Sequence, residues 1–172
     1  YMVGLSIGVH LLNLLVIPAI VFIYYFKKYE TTKWGIIKSA ALSIVILGVI
    51  MWGIIPGVII VAGWFELLFV NGFGMPFNTG VVIYALLLIA GLTFGIRYTL
   101  KHNHTVVNTI LTCFVVMLIG YSCYAMVVIR SVSNPPIDEN SPDNVFALLS
   151  YISRDQYGQE PLVYGPYFNA PV

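Results

Sequence analysis

Charge is what this chain has least of. Among 172 residues, 8 are Lys or Arg and 7 are Asp or Glu, a charged fraction of 9%, against about 25% in soluble domains. From Lys38 to Arg97 the only formal charge in between is Glu66. Water cannot solvate a surface built from so long an uncharged run, so a soluble globular fold is excluded. The few basic residues stand at the ends of apolar runs and do not cluster on one face, which excludes a nucleic-acid interface. Cysteine is nearly absent. Cys113 and Cys123 lie in one apolar segment, about 15 Å apart along a helix, where a disulfide needs a Cα spacing near ~6 Å. Neither a disulfide nor a shared metal fits that geometry, and both thiols read as small core residues. No Gly-rich phosphate loop, Cys/His cluster or nucleophile–base motif occurs, so no metal ligands are assigned. No positive n-region precedes the first apolar run at Tyr1, which argues against a signal peptide, and the residues read as an excerpt from a longer protein.

What is present is apolar length. Hydrophobic residues make up 59% of the chain, and about twenty of them as helix cross a hydrocarbon core of roughly 30 Å. The expectation is an all-α membrane protein of about four transmembrane helices, near residues 3–26, 35–55, 81–98 and 106–129. Pro56-Gly57 is expected to break the second span. Residues 57–80 then form an interfacial or re-entrant connector, too apolar for an ordinary loop and punctuated by Gly72, Gly74, Pro76 and Gly80. Lys27, Lys28, Lys33 and Lys38 mark one boundary, and Arg97, Lys101, His102 and His104 another. The positive-inside bias puts both in the cytoplasm. The connector and the segment after Arg130 then share the outer side.

Residues 131–172 differ in kind, holding five of the seven acidic residues. Asn134-Pro135-Pro136 begins an extended stretch. Ser141 and Pro142 read as the N-cap and first position of a short helix, which Tyr157-Gly158 ends. Tyr164 to Val172 reads as extended. This tail is expected to be extracytoplasmic, the start of an outer domain.

Few side chains are candidates for chemistry. Glu66 is the acidic group at membrane level, where a carboxylate must be paired, hydrated or used, and Asn71 and Asn78 would complete a polar mouth beside it. Ser6, His10 and Asn13, at i, i+4 and i+7, line one face of the first span and either bond neighbouring helices or border a cavity. Arg154 and Arg130 are the cations expected on the outer face, suited to a lipid-linked phosphate. Asp138 and Glu139 read as solvated turn residues. Gly4-xxx-Gly8, Gly53-xxx-Gly57 and Gly91-xxx-Gly95 are small-residue notches for helix packing.

Three stretches together carry a resemblance: GLSIGVHLLNLLVIPA (Gly4 to Ala19), GWFELLFVNGFGMPFNTG (Gly63 to Gly80) and NPPIDENSPDNVFALLSYISRDQYG (Asn134 to Gly158). They resemble a family of large bacterial membrane proteins similar to the protein O-mannosyltransferase-like enzymes grouped under the GT-C glycosyltransferase fold. The resemblance implies a polyprenyl-phosphate sugar donor, an extracytoplasmic protein acceptor and a location in the bacterial inner membrane with the tail in the periplasm. It leaves room for a divalent metal. The acidic motif such enzymes carry in their first outer loop is not present here, so the principal catalytic acid is expected outside these residues. This chain would line a cavity with Glu66, Asn71, His10 and Asn13, and hold donor phosphate through Arg154 or Arg130. Two rivals stand beside that reading. One is a non-enzymatic scaffold subunit of an envelope complex. The other is a transporter, disfavoured because the spans show no inverted repeat.

Overall fold

Four helical runs are long and apolar enough to cross a membrane: Leu11–Lys28, Lys33–Gly72, Thr79–Lys101 and Thr105–Val132. They come from a computed structural model that describes residues 1–155 and 158, and no strand occurs among the described residues. The expected fold class is the observed one. The boundaries differ in instructive ways.

The first run is not one helix from residue 3 to 26. A short helix α1 (Met2–Ile7) stops at Gly8, and His10 adopts an extended conformation that restarts the chain as a 3-10 turn, Leu11–Leu15, leading into α2 (Val16–Lys28). His10 is the reason for the restart: its Nδ1 accepts the Leu12 N–H at 3.1 Å, capping the new turn. The stripe of Ser6, His10 and Asn13 is therefore not a single helix face. Ser6 Oγ turns back to the Val3 carbonyl instead, and the set is joined through its backbone, the His10 N–H donating to the Ser6 carbonyl at 2.9 Å and the Asn13 N–H to the His10 carbonyl at 3.0 Å, with a long 3.5 Å contact from the Asn13 side-chain amide to the Ser6 carbonyl.

Pro56 does not break the second run either. Helix α3 (Lys33–Gly48) passes through a wide π turn, Val49–Ile54, into α4 (Ile55–Leu67), and a second π turn ends at Gly72. Proline lacks an N–H and crowds the carbonyl four residues back, and a π turn widens the helix where that conflict falls. The proline then stands at the second position of α4, directly after that turn. The expected connector at 57–80 is thus mostly helix, and only residues 73–78 form a turn. With 40 residues at about 1.5 Å each, the combined helix is about twice as long as the hydrocarbon core is thick.

Helix α5 (Thr79–Lys101) returns beside α4, and α6 (Thr105–Tyr121) pairs with α5 after a three-residue turn. A break at Ser122–Cys123 separates α6 from α7 (Tyr124–Val132). Beyond a proline-containing loop, α8 (Val145–Ser153) lies on α4. Its cap is Asn144, whose Oδ1 accepts from the Phe146 and Ala147 N–H groups at 2.9 and 3.0 Å. Ser141-Pro142, expected to open this helix, instead ends the preceding loop, with Ser141 at a positive φ and Pro142 fully buried. The helix also stops earlier than expected, at Arg154 in the left-handed region. The extended stretch from Tyr164 to Val172 lies outside the described residues.

The buried core sits where α1, α4, α6 and α8 meet, at Ile7, Leu14, Ile55, Ile59, Ala62, Tyr121 and Val145. Outside it, large apolar side chains such as Ile44, Trp52, Phe94 and Ile110 are left exposed, as lipid solvent permits and water does not. Cys113 is among the exposed residues rather than in the core, and Cys123 is half-buried. Backbone contact holds α1 on α6. A Cβ on Gly4 would lie 2.0 Å from the Met117 carbonyl oxygen, and one on Gly120 2.5 Å from the Leu5 nitrogen. The two short lysine- and histidine-bearing turns close hairpins at one end of the bundle. The 73–78 turn and α8 belong to the other end.

Candidate functional site

Glu66 is buried to 1% exposure on α4. Its Oε1 accepts the Asn78 N–H and its Oε2 the Val81 N–H, the latter at 3.1 Å. Those donors belong to the first turn of α5, whose N-cap residue, Asn78, supplies no side-chain cap of its own. The first N–H groups of a helix have no internal partner and carry the positive end of its dipole. Here a carboxylate from the neighbouring helix meets them. The close fit needs Gly80, where a Cβ would fall 2.4 Å from the Glu66 Cα. Glu66 therefore clasps α4 to α5. Asn71 and Asn13 are exposed on separate elements. None of Glu66, Asn71 and Asn13 lines any of the three cavities described next.

The first cavity, of about 340 Å³, is polar and lies between the α1–Leu11 corner, α7 and the C-terminal end of α8. His10 and Arg154 both line it, with Tyr124, Glu139 and Tyr151. Residues 144 positions apart thus share one chamber, although only the resemblance linked them beforehand. Local structure places each of them. His10 is the cap that ends the kink between α1 and the following turn. With its Nδ1 accepting from Leu12, the ring's remaining N–H is at Nε2, a donor suited to an anion. Arg154 is the left-handed residue that terminates α8, and its guanidinium offers several donors in a planar fork. Tyr124 is pinned by its hydroxyl, which donates to the Ile7 carbonyl at 3.2 Å, and Tyr151 meets its ring edge-on at 6.5 Å.

The second cavity is an apolar groove of about 770 Å³ bounded by α4, α5, α6, α7 and α8, with Ile59, Leu88, Leu92, Leu118 and Val128 among its walls. Tyr124 lines this groove as well. One aromatic side chain thus forms part of the walls of both a long apolar trough and a polar chamber holding a guanidinium, an imidazole and the Glu139 carboxylate.

The N-terminal part of this arrangement is where a known family enters. Residues 1–33 match the model of the protein O-mannosyl-transferase TMEM260 N-terminal domain. The match covers α1, the His10 corner, α2 and the turn that follows. No curated protein and no solved structure matches the chain significantly.

A third, smaller cavity, of about 240 Å³, holds Arg130 between α7 and the loop after it. The two arginines named as phosphate partners therefore sit in different chambers. Glu139, Tyr124 and Tyr151 were not singled out as site residues by sequence alone. The available signal was the tyrosine spacing, Tyr121 and Tyr124 in one apolar run of sequence, and it reads equally well as core packing. Among the described residues no group of three His, Cys, Asp or Glu is placed to hold a metal ion.

Proposed function

We propose that the chain is the donor-binding part of an integral-membrane glycosyltransferase, which moves a sugar from a polyprenyl-phosphate to an extracytoplasmic protein. The observation that carries this reading is that Tyr124 lines both the apolar groove and the polar chamber, which therefore lie side by side. A polyprenyl-phosphate sugar has that same division, a long apolar tail ending in a charged head. The groove takes the tail, while Arg154 and the His10 Nε2–H donate to the phosphate. The match of residues 1–33 to an O-mannosyl-transferase domain supports the transferase class and makes mannose the first sugar to test. In this reading the end bearing α8 faces the periplasm of the bacterial inner membrane and the basic turns face the cytoplasm. The carboxylate that activates the acceptor comes from outside these residues, along with any divalent metal.

The test is transfer from polyprenyl-phosphate mannose by the intact protein in vesicles. Arg154→Ala is expected to weaken donor binding on the order of tenfold or more, the loss of a charge-assisted contact. Donor affinity unchanged in both Arg154→Ala and His10→Ala would remove the assignment.

A second reading, a scaffold subunit in a membrane-protein complex, draws on Gly57 and Gly91, whose open faces meet nothing within 4 Å in this chain. Glycoproteomics of extracytoplasmic proteins after gene deletion separates the two. Lost O-glycans support the transferase, and an intact glycome with a lost complex supports the scaffold.

A further inference from the structure

The hairpin of α2 and α3 stands apart from the other helices. Helix α2 packs on α3 and on the 3-10 turn that feeds it, and α3 packs on α2 and on the π turn it runs into. The main packing of the bundle, α1 on α6, α4 on α5 and α8, and α5 on α6, is made without them. The hairpin's root touches the buried core through Ile17, Ile46 and Leu47. Ile20, Ile23, Leu42 and Ile44 are exposed. Within itself the hairpin is stiff. At its tip the Tyr25 hydroxyl accepts the Thr32 N–H at 3.1 Å and donates to the Glu30 carbonyl at 3.0 Å. Thr32 Oγ1 then caps α3 by accepting the Gly35 N–H at 3.0 Å.

Both legs of the hairpin meet the bundle through a turn that is not α-helical, Leu11–Leu15 on one side and Val49–Ile54 on the other. A proline follows each. Pro18 has no N–H for the Leu14 carbonyl four residues back, and Pro56 has none for that of Trp52. Each turn therefore lacks one backbone bond of an α-helix where the chain departs from it. Such breaks inside long helical runs mark hinges. On the bundle side each break is anchored by a tyrosine. The Tyr124 hydroxyl donates to the Ile7 carbonyl at 3.2 Å, just before the first break, and the Tyr121 hydroxyl to the Ile55 carbonyl at 2.7 Å, just after the second. The π turn also has room around it. A Cβ on Gly53 would meet only the Val49 side chain at 3.9 Å, and one on Gly57 nothing within 4 Å. We propose that the α2–α3 hairpin is a hinged arm, swinging as one rigid pair about these two turns on a base fixed by Tyr121 and Tyr124. Both anchors are also cavity walls, Tyr121 of the apolar groove and Tyr124 of groove and polar chamber alike. The arm's base and the cavities thus share the same two side chains.

The inference needs no ligand and stands apart from the transferase reading. Distances between pairs of nitroxide labels test it on the full chain in lipid nanodiscs, with Cys113→Ala and Cys123→Ala as the background. Labels at Thr31, on the arm's tip, and Lys101, on the bundle, are expected to give a broad distribution. Labels at Thr31 and Ile44, both on the arm, are expected to give a narrow one. Pro18→Ala combined with Pro56→Ala supplies both missing N–H donors and is expected to narrow the Thr31–Lys101 distribution. Gly53→Ala stiffens the π turn without a clash and is expected to narrow it as well. Tyr121→Phe combined with Tyr124→Phe releases the base and is expected to broaden it, and the proline and glycine variants decide the matter if that pair does not fold. A wild-type Thr31–Lys101 distribution as narrow as that of Thr31–Ile44 overturns the arm. So does a width that the proline and glycine substitutions leave unmoved. Equal breadth in a Lys101–Met126 pair, both sites on the bundle, overturns it too, because the motion then belongs to the bundle and not to the hinge.

Discussion

At Glu66 a membrane-level carboxylate meets the first N–H groups of a helix instead of a cavity. Replacing it with Gln removes the charge and turns one acceptor into a donor facing backbone N–H groups. A buried hydrogen-bonding group left unpaired costs about 1–3 kcal/mol. Glu66→Gln is therefore expected to lower the thermal midpoint in detergent while leaving donor affinity at the polar chamber unchanged. A loss of donor binding at unchanged stability would return Glu66 to the site. Glycines allow a sharper comparison. Gly80→Ala forces a Cβ into the Glu66 backbone, whereas Gly91 faces open space. Overpacking costs typically 1–3 kcal/mol, so Gly80→Ala should destabilise the protein and Gly91→Ala should not, both read from thermal unfolding. The sequence marked Glu66 as a candidate for chemistry, Gly80 as turn punctuation and Gly91 as part of a packing notch, whereas Gly80 seats α5 on the Glu66 backbone and Gly91 meets nothing within 4 Å. A lone acid at membrane level has the same signature whether it serves a ligand or a helix end, and only the position of α5 distinguishes them.

Helices show a similar division between what was legible and what was not. Apolar length pointed to four helical runs long enough to cross a membrane, the number observed, because burying twenty apolar residues outweighs local preferences. Local punctuation was less decisive. Pro56 reads as a stop, yet a π turn accommodates it and the helix runs on to Gly72. Ser141-Pro142 reads as a helix start, yet Asn144 caps α8 with two N–H bonds. A stripe spaced i, i+4, i+7 presupposes an unbroken helix, and Gly8 with His10 breaks that one. Asn144→Ala removes the cap, at a cost of about 1 kcal/mol. It should speed hydrogen exchange across Val145–Ser153 while leaving α5 and α6 protected. Unchanged exchange in α8 would mean that packing on α4 alone holds it.

For the molecule as a whole, the connectivity puts the two basic turns at one end and the 73–78 turn with α8 at the other. Single cysteines at Thr31 and Asn103 should label from one face of the membrane, and those at Phe73 and Asn140 from the opposite face. Labelling of Phe73 and Asn140 from different faces would dismantle the topology. That the groove and the chamber share a wall at Tyr124 was not legible beforehand. It depends on residues from α1, α7 and α8 that are far apart in the chain and carry no shared motif. The central claim is that one lipid occupies both spaces, with its tail among α4–α7 and its phosphate at Arg154. Photo-cross-linking with a polyprenyl-phosphate bearing a diazirine on its tail tests it most directly. The account predicts label in α5, α6 and α7 around Leu88, Leu92 and Val128, competed by unlabelled polyprenyl-phosphate and lost in Arg154→Ala. Label spread over the lipid-exposed surface, at Ile44 and Phe94 as much as in the groove and indifferent to Arg154, would contradict it.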